Sequence, residues 1–180
     1  MPDAIVTIAP ELRTERLVLR GHTRADLEEC AAMWGDPRVT RYIGGRPSTE
    51  EEAWARVLRY SGLWALLGYG YWVVRERDSG RFVGDVGLGD FHREITPALG
   101  EVPEAGWVLS PSAHGRGFAT EAVRAVLAWA DAHLPDPRTV CLIDPDNAAS
   151  LHVAEKCGFR EHARGSYKGE DTLILERLRP

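Results

Sequence analysis

The chain predicts a mixed α/β protein, one sheet with helices on both faces. Three observations carry that expectation. Segments of strand-like and helix-like hydrophobic period follow one another in the order β-α-α-β-β-β-α-β-α-β-β. Capping residues, glycines and prolines stand where one period gives way to the next. No internal repeat, low-complexity stretch or linker divides the 180 residues, so a single domain over residues 1–180 is expected.

Residues 16–20 (Arg-Leu-Val-Leu-Arg) read as the first strand. Thr23 with Asp26 forms a helix-start box, leading into Leu27, Cys30, Ala31 and Trp34 at helical spacing, and Asp36-Pro37 ends that helix. Ser48 with Glu51 is a second capping box, opening a helix that carries Trp54, Val57, Leu58 and, further along, Trp64 on one face. Tyr42-Ile43-Gly44-Gly45-Arg46-Pro47 between them is a flexible loop where a substrate can sit. Tyr69 to Arg75 and Phe82 to Leu88 pair as a hairpin across Asp78-Ser79-Gly80. Residues 89–103 read as a variable loop, and Glu104 to Leu109 as a further strand. A helix from about Ala119 to Leu134 shows a stripe of Val123, Val126, Leu127, Ala130 and Leu134, stopped by Pro135 and Pro137. Val140 to Ile143 is a short buried strand, and a helix from about Ala148 to Cys157 ends at Gly158. Phe159 to Ala163 and Thr172 to Leu178 close the sheet as a hairpin.

Composition narrows the function classes. Hydrophobic content of 44% and charged content of 27% are those of a soluble globular protein. The formal charge is −5, and Lys156 and Lys168 are the only lysines, so no basic run follows a nucleic-acid backbone; mild preference for cationic substrates is the most that charge suggests. No apolar stretch reaches the roughly 18 residues that span a bilayer, and the first residues lack a signal-peptide pattern. Cys30, Cys141 and Cys157, widely spaced in apolar surroundings, read as buried thiols in a reducing cytoplasm. The six histidines show no metal-ligand spacing, so no metal is expected.

The most informative segment runs from Trp107 to Ala122: an apolar strand, a loop with Gly115 and Gly117, then a helix. That order aims unpaired backbone N–H groups and a helix dipole at one small volume, which suits an anion. The glycines let the backbone approach a bulky phosphate, and Ala119 is small enough to allow the same. The other reading is an ordinary tight strand-to-helix turn. No lysine of the nucleotide P-loop type follows, and Gly-Arg-Gly-Phe-Ala is only a fragment of the dinucleotide fingerprint.

Downstream stands Asn147-Ala-Ala-Ser150-Leu-His-Val-Ala-Glu-Lys-Cys-Gly158-Phe159. In this order the two segments resemble the GNAT superfamily of N-acetyltransferases, most closely its ribosomal-protein N-terminal acetyltransferase branch. The resemblance covers nearly the whole chain, from Leu12-Arg13-Thr14-Glu15-Arg16-Leu17 through Gly84-Asp85-Val86-Gly87-Leu88 to Cys157-Gly158-Phe159. It implies a mostly antiparallel sheet and acetyl-coenzyme A as co-substrate. The family's phosphate-loop signature falls on His114, Gly117 and Ala119, with His114 departing from the usual Arg or Gln. Backbone N–H groups of Gly115, Arg116, Gly117, Phe118, Ala119 and Thr120 would hold the pyrophosphate. Trp107, Val108 and Leu109 would pair their backbone with the pantetheine arm as an added strand does.

Acetyl transfer to an amine needs a base for the ammonium and an acid for the departing thiolate. The tyrosine that many members use as acid is absent, Ala154 occupying its place. The resemblance therefore assigns the acid to Ser150, hydrogen-bonded to the coenzyme sulfur, and a pantetheine contact to Asn147. Asn147 also reads as a helix N-cap, and Ser150 as a solvated first-turn residue. Glu104 is the first choice of base, with Glu101, Asp85 and His92 as alternatives; a solvated glutamate at a strand end is the plain reading of Glu104. Trp34 and Trp54 read as core, Arg41 and Tyr42 as lining the acceptor site. The expected activity is direct acetyl transfer in a ternary complex to a protein N-terminus, an amino acid or polyamine, or an aminoglycoside-like amine. The alternative is a non-catalytic acyl-CoA-binding or sensing domain. Partners beyond the amine acceptor are not expected, whether nucleic acid or membrane, and monomer and homodimer both stay open.

Overall fold

The computed structural model describes residues 8–180; the leading Met-Pro-Asp-Ala-Ile-Val, read above for a signal sequence, lies outside the described residues. The strands are β1 (Leu12–Arg13), β2 (Leu17–Arg20), β3 (Tyr71–Glu76), β4 (Phe82–Gly89), β5 (Ile95–Thr96), β6 (Glu104–Leu109), β7 (Arg138–Ile143), β8 (Arg160–Tyr167) and β9 (Glu170–Leu178). The helices are α1 (Leu27–Trp34), α2 (Pro37–Thr40), α3 (Glu50–Leu67), α4 (Phe118–His133) and α5 (Ala148–Lys156). The strands form one sheet in the order β1-β2-β3-β4-β6-β7-β9-β8-β5. Every neighbouring pair is antiparallel except β6 with β7. The mixed, mostly antiparallel fold expected from the sequence is the fold observed.

Alternation along the strands splits the core in two. Leu17, Leu19, Trp72, Val74, Val86, Leu88 and Leu109 pack with Phe118, Val123 and Val126 of α4 on one face. On the other face Val73 and Phe82 meet Cys30, Trp34, Ala53 and Val57 of α1 and α3. A bulge in β4 decides which residues look which way. Val74 stands opposite Gly84 and Arg75 opposite Phe82, so Val83 is the extra residue and Asp85 turns toward α1. Only glycine fits the bulge: Gly84 has φ +155°, and a Cβ there would lie 2.1 Å from the Val108 carbonyl oxygen.

Three local expectations are corrected. The capping box of α3 is Thr49 with Glu52, one residue after Ser48 and Glu51. Both pairs have the right spacing, but the Ser48 N–H already donates to the Trp34 carbonyl (2.9 Å) and has nothing left for Glu51. Asp36-Pro37 ends α1 as expected and also opens α2, with Pro37 in its first turn and the Asp36 carboxylate accepting from the Arg38 N–H (2.8 Å). The 89–103 loop contains β5, which pairs with Tyr167 and Ser166 of β8. That approach depends on Gly165, whose missing Cβ would fall 2.2 Å from the Thr96 carbonyl oxygen. The three cysteines are free and buried. No helix of the described residues is long and apolar enough to cross a membrane.

Candidate active site

Parallel strands β6 and β7 share a single register position, Glu104 with Val140, and then part. Antiparallel pairing to β4 continues along the other edge of β6 from Glu104 to Leu109. The edge of residues 105–109 that faces β7 therefore forms one wall of a notch. Beyond the notch the chain turns through Ser110–Gly117 into α4. Gly115 and Gly117 adopt φ of +72° and +77°, and Gly117 is the N-cap of α4 with no side chain capping it. Among the described residues, the backbone N–H groups of residues 115–120 meet no acceptor; the first N–H of α4 to find one is Glu121, on the Gly117 carbonyl (3.1 Å). Six unpaired donors thus stand in the turn and first residues of α4, at the positive end of the helix dipole.

His114 plays a different part from these donors. Its Nε2 lies 3.0 Å from the Leu109 carbonyl oxygen, so Nε2 carries the proton and the ring ties the turn to the end of β6. Trp107 is half-buried, its ring 6.4 Å from that of Phe159 behind α5. Asn147 caps α5, its Oδ1 accepting from the Ser150 N–H (3.1 Å). The capping reading of Asn147 is thus realised, and its side-chain NH2 stays available. Ser150 is half-buried in the first turn of α5, its hydroxyl free of any protein partner among the described residues.

At the start of β6 lies a pocket of about 280 Å³ lined by Asp90, Phe91, Arg93, Glu101 and Glu104. Glu104 is 6% exposed. Arg93 grips it in a fork, Nε 2.6 Å from Oε2 and Nη2 2.7 Å from Oε1. The expected open-cleft carboxylate is therefore a buried, paired one at the pocket floor. Burial alone would lower the Arg93 pKa, but hydrogen bonding and charge attraction from Glu104 outweigh it and raise the value. Arg93 also lies over the rings of Phe91 (4.8 Å) and Tyr167 (4.9 Å).

Of the other base candidates, Asp85 sits apart from this pocket, while His92 and Glu101 line it. Asp85 is sealed: its oxygens face His22 Nε2 at 2.8 Å and accept from Trp34 Nε1–H at 3.2 Å, and Cys30 Sγ stands 3.8 Å away. Burial first, then the nearby Asp85 charge, pushes the Cys30 thiol pKa up. His92 is exposed beside Asp90 (3.5 Å), and Glu101 is exposed at the pocket rim. Trp34 is core, Trp54 half-buried against it, and Arg41 stacks on Tyr42 (5.1 Å) on the surface.

Comparison with known proteins agrees with this geometry. A family model described as an acetyltransferase (GNAT) domain matches residues 16–160. The chain belongs to the GNAT acetyltransferase family. An uncharacterized N-acetyltransferase of Bacillus subtilis, YoaA, is 28% identical over 156 residues, covering 84% of each chain. A Bordetella pertussis structure described as a GNAT-family acetyltransferase superposes with a TM-score of 0.81 at 34% identity, over 93% of this chain and 99% of that one. The Vibrio cholerae spermidine N-acetyltransferase, solved with CoA and spermine, shares the fold at a TM-score of 0.72 and 19% identity, over 92% and 97% of the two chains.

Within the GNAT frame, sequence reading missed the side chains around the pocket. Tyr71 lies across β4 and β6. Gly87 and Gly106 are register partners there, and a Cβ on Gly106 would fall 2.1 Å from the Tyr71 hydroxyl oxygen. Tyr60 of α3 stacks on Tyr71, centroids 4.3 Å apart at 6°. Burial first raises both tyrosine pKa values, so both stay neutral hydroxyls. The paired strand glycines were the available signal, since glycine inside a central strand marks a close approach.

Proposed function

We propose that this GNAT protein is an N-acetyltransferase that moves an acetyl group from acetyl-coenzyme A to a primary amine by direct transfer in a ternary complex. The observation that carries the reading is the set of six unpaired N–H donors at residues 115–120 beside the parted β6–β7 pair. A pyrophosphate fits those donors, and the positive-φ glycines keep side chains out of its way. The free edge of Trp107, Val108 and Leu109 suits an amide-bearing arm laid alongside as an extra strand. His114 holds the turn and Asn147 borders the arm.

In the transfer the neutral amine nitrogen bonds to the acetyl carbon, the C–S bond breaks, the Ser150 hydroxyl donates its proton to the leaving sulfur, and the proton lost from the acylated nitrogen restores that hydroxyl through water. The acceptor enters by the pocket at the start of β6, where Asp90, Glu101 and Glu104 favour a cationic amine. Arg93 uses two of the roughly four lone-pair sites of Glu104, so the remaining two receive the ammonium proton, directly or through water. A catalytic chain is favoured over an acyl-coenzyme sensor because a free hydroxyl at Ser150 and a carboxylate at Glu104 accompany the phosphate turn.

Thiol release from acetyl-CoA against peptide N-termini and small polyamines tests the reading. Ser150→Ala is expected to lower kcat by about 100-fold with little change in the KM for acetyl-CoA, the size of a lost general acid. Coenzyme binding with no thiol release across the amine panel would establish the sensor instead. For Glu104→Gln, a wild-type pH–rate profile would remove Glu104 from the base role.

A further inference from the structure

The donor turn is gripped from behind by a residue outside the phosphate loop. Arg16, just before β2, donates from Nη1 to the Arg116 carbonyl oxygen (2.9 Å) and from Nε to Glu121 Oε2 (2.7 Å). Its own N–H donates to Glu121 Oε1 (2.9 Å), which also accepts from the Thr14 hydroxyl (2.6 Å). Glu121 stands in the first turn of α4, so strand, turn and helix are tied at one point. The guanidinium covers Gly117 as well: a Cβ there would lie 3.4 Å from Arg16 Nη2. Phe118 beneath it carries Arg16 at 4.7 Å and Arg116 at 4.3 Å from its centroid.

Direction gives this brace a consequence. β3 and β4 separate β2 from the β6–β7 notch, so Arg16 reaches the turn from the side away from the notch. In a trans peptide the carbonyl and the following N–H point opposite ways. Holding the Arg116 carbonyl toward Arg16 therefore turns the Gly117 N–H toward the notch. A cation on that carbonyl also polarises the shared amide and strengthens its N–H as a donor.

We propose that Arg16 is a positioning residue of the coenzyme site, aiming and polarising the Gly117 N–H for the pyrophosphate; the inference rests on the acetyl-CoA reading of the turn. The test compares acetyl-CoA with S-acetyl-pantetheine, which lacks the pyrophosphate, in the wild type and Arg16→Gln. The variant is expected to raise the KM for acetyl-CoA about tenfold, as for one lost charge-assisted hydrogen bond, with kcat held. Its kcat/KM with S-acetyl-pantetheine should change by less than about twofold. The amide-proton shift of Gly117 on adding coenzyme A should shrink in the variant. Equal losses with both donors would make Arg16 a general stabiliser and overturn the proposal, as would no loss with either. A wild-type protein that neither binds nor turns over acetyl-CoA would sink the coenzyme reading itself, a separate result. Should Arg16→Gln fail to fold, Arg16→Lys keeps the charge on one nitrogen without the planar fork and gives the same comparison at smaller amplitude.

Discussion

The turn at residues 114–120 and the pocket at residues 90–104 are built on opposite plans. The turn offers backbone: its donors are N–H groups, and the side chains around it, His114 and Arg16, only hold it in shape. The pocket offers side chains, and its central carboxylate is held by a neighbouring arginine rather than by the main chain. Each region has its own arginine–glutamate pair, Arg16 with Glu121 and Arg93 with Glu104. The first is half open to solvent on the arginine side and stiffens a ligand-binding backbone. The second is nearly buried and forms part of the pocket wall. Backbone sites fail when their conformation changes; side-chain sites fail when a partner is left alone.

The largest effect is therefore expected from conformation at the turn. Gly117→Val places a β-branched residue at φ +77°, a strain of about 1–2 kcal/mol, with its new Cβ 3.4 Å from Arg16 Nη2. The turn would relax by rotating its peptides away from the notch, losing aligned donors. Calorimetry should show the Kd for coenzyme A rising about 100-fold, the worth of one or two charge-assisted hydrogen bonds. Gly115→Ala is the internal control: nothing lies within 4 Å of its Cβ position, so only positive φ opposes it. About a fivefold loss is expected there, from roughly 1 kcal/mol of strain. Equal losses at the two glycines would break the idea that Gly117 is specially braced.

Next comes Arg93→Ala, which leaves Glu104 buried without its partner. Removing one member of a buried pair typically costs several kcal/mol, and the partial exposure of Arg93 brings the expectation to about 2–4 kcal/mol in chemical denaturation. Coenzyme affinity should stay within about twofold, because the pocket contributes nothing to the donor turn. A large loss of coenzyme affinity would show that the two regions are coupled and dissolve the contrast.

The same contrast explains what was legible in the sequence. A site made of backbone must bend the chain, and bending leaves glycines at 115 and 117 and a capping asparagine at 147 for a reader to find. The element order was legible for a similar reason, since helices and strands announce themselves by period and caps. The capping box of α3 slipped by one residue because Ser48-to-Glu51 and Thr49-to-Glu52 overlap, and a bond from Ser48 to the distant Trp34 carbonyl decides between them. Arg93 as partner of Glu104 was not legible at all. It sits in an irregular loop with no period, and only the fold brings its guanidinium onto β6. Arg16 was visible within a family-like segment, but its action on the Arg116 carbonyl exists only once β2 and α4 are packed.

The smallest effect is a proton-linked one at the turn. Burial raises the Glu121 pKa, but hydrogen bonds from Thr14 and from the Arg16 backbone and guanidinium outweigh it, so the folded value lies below the ordinary one. A carboxylate whose folded pKa is depressed adds stability above its unfolded pKa, near 4.3, and loses it as pH falls through the folded value. Denaturation from about pH 6 to pH 3 should therefore show stability falling with acid, and Glu121→Gln should remove part of that slope. Because the pair is open to solvent, the difference should be only about 0.5–1 kcal/mol and should shrink in high salt. An unchanged slope in Glu121→Gln would mean that Thr14 and Arg16 hold the turn without help from the charge on Glu121, leaving shape rather than electrostatics as the whole of the brace.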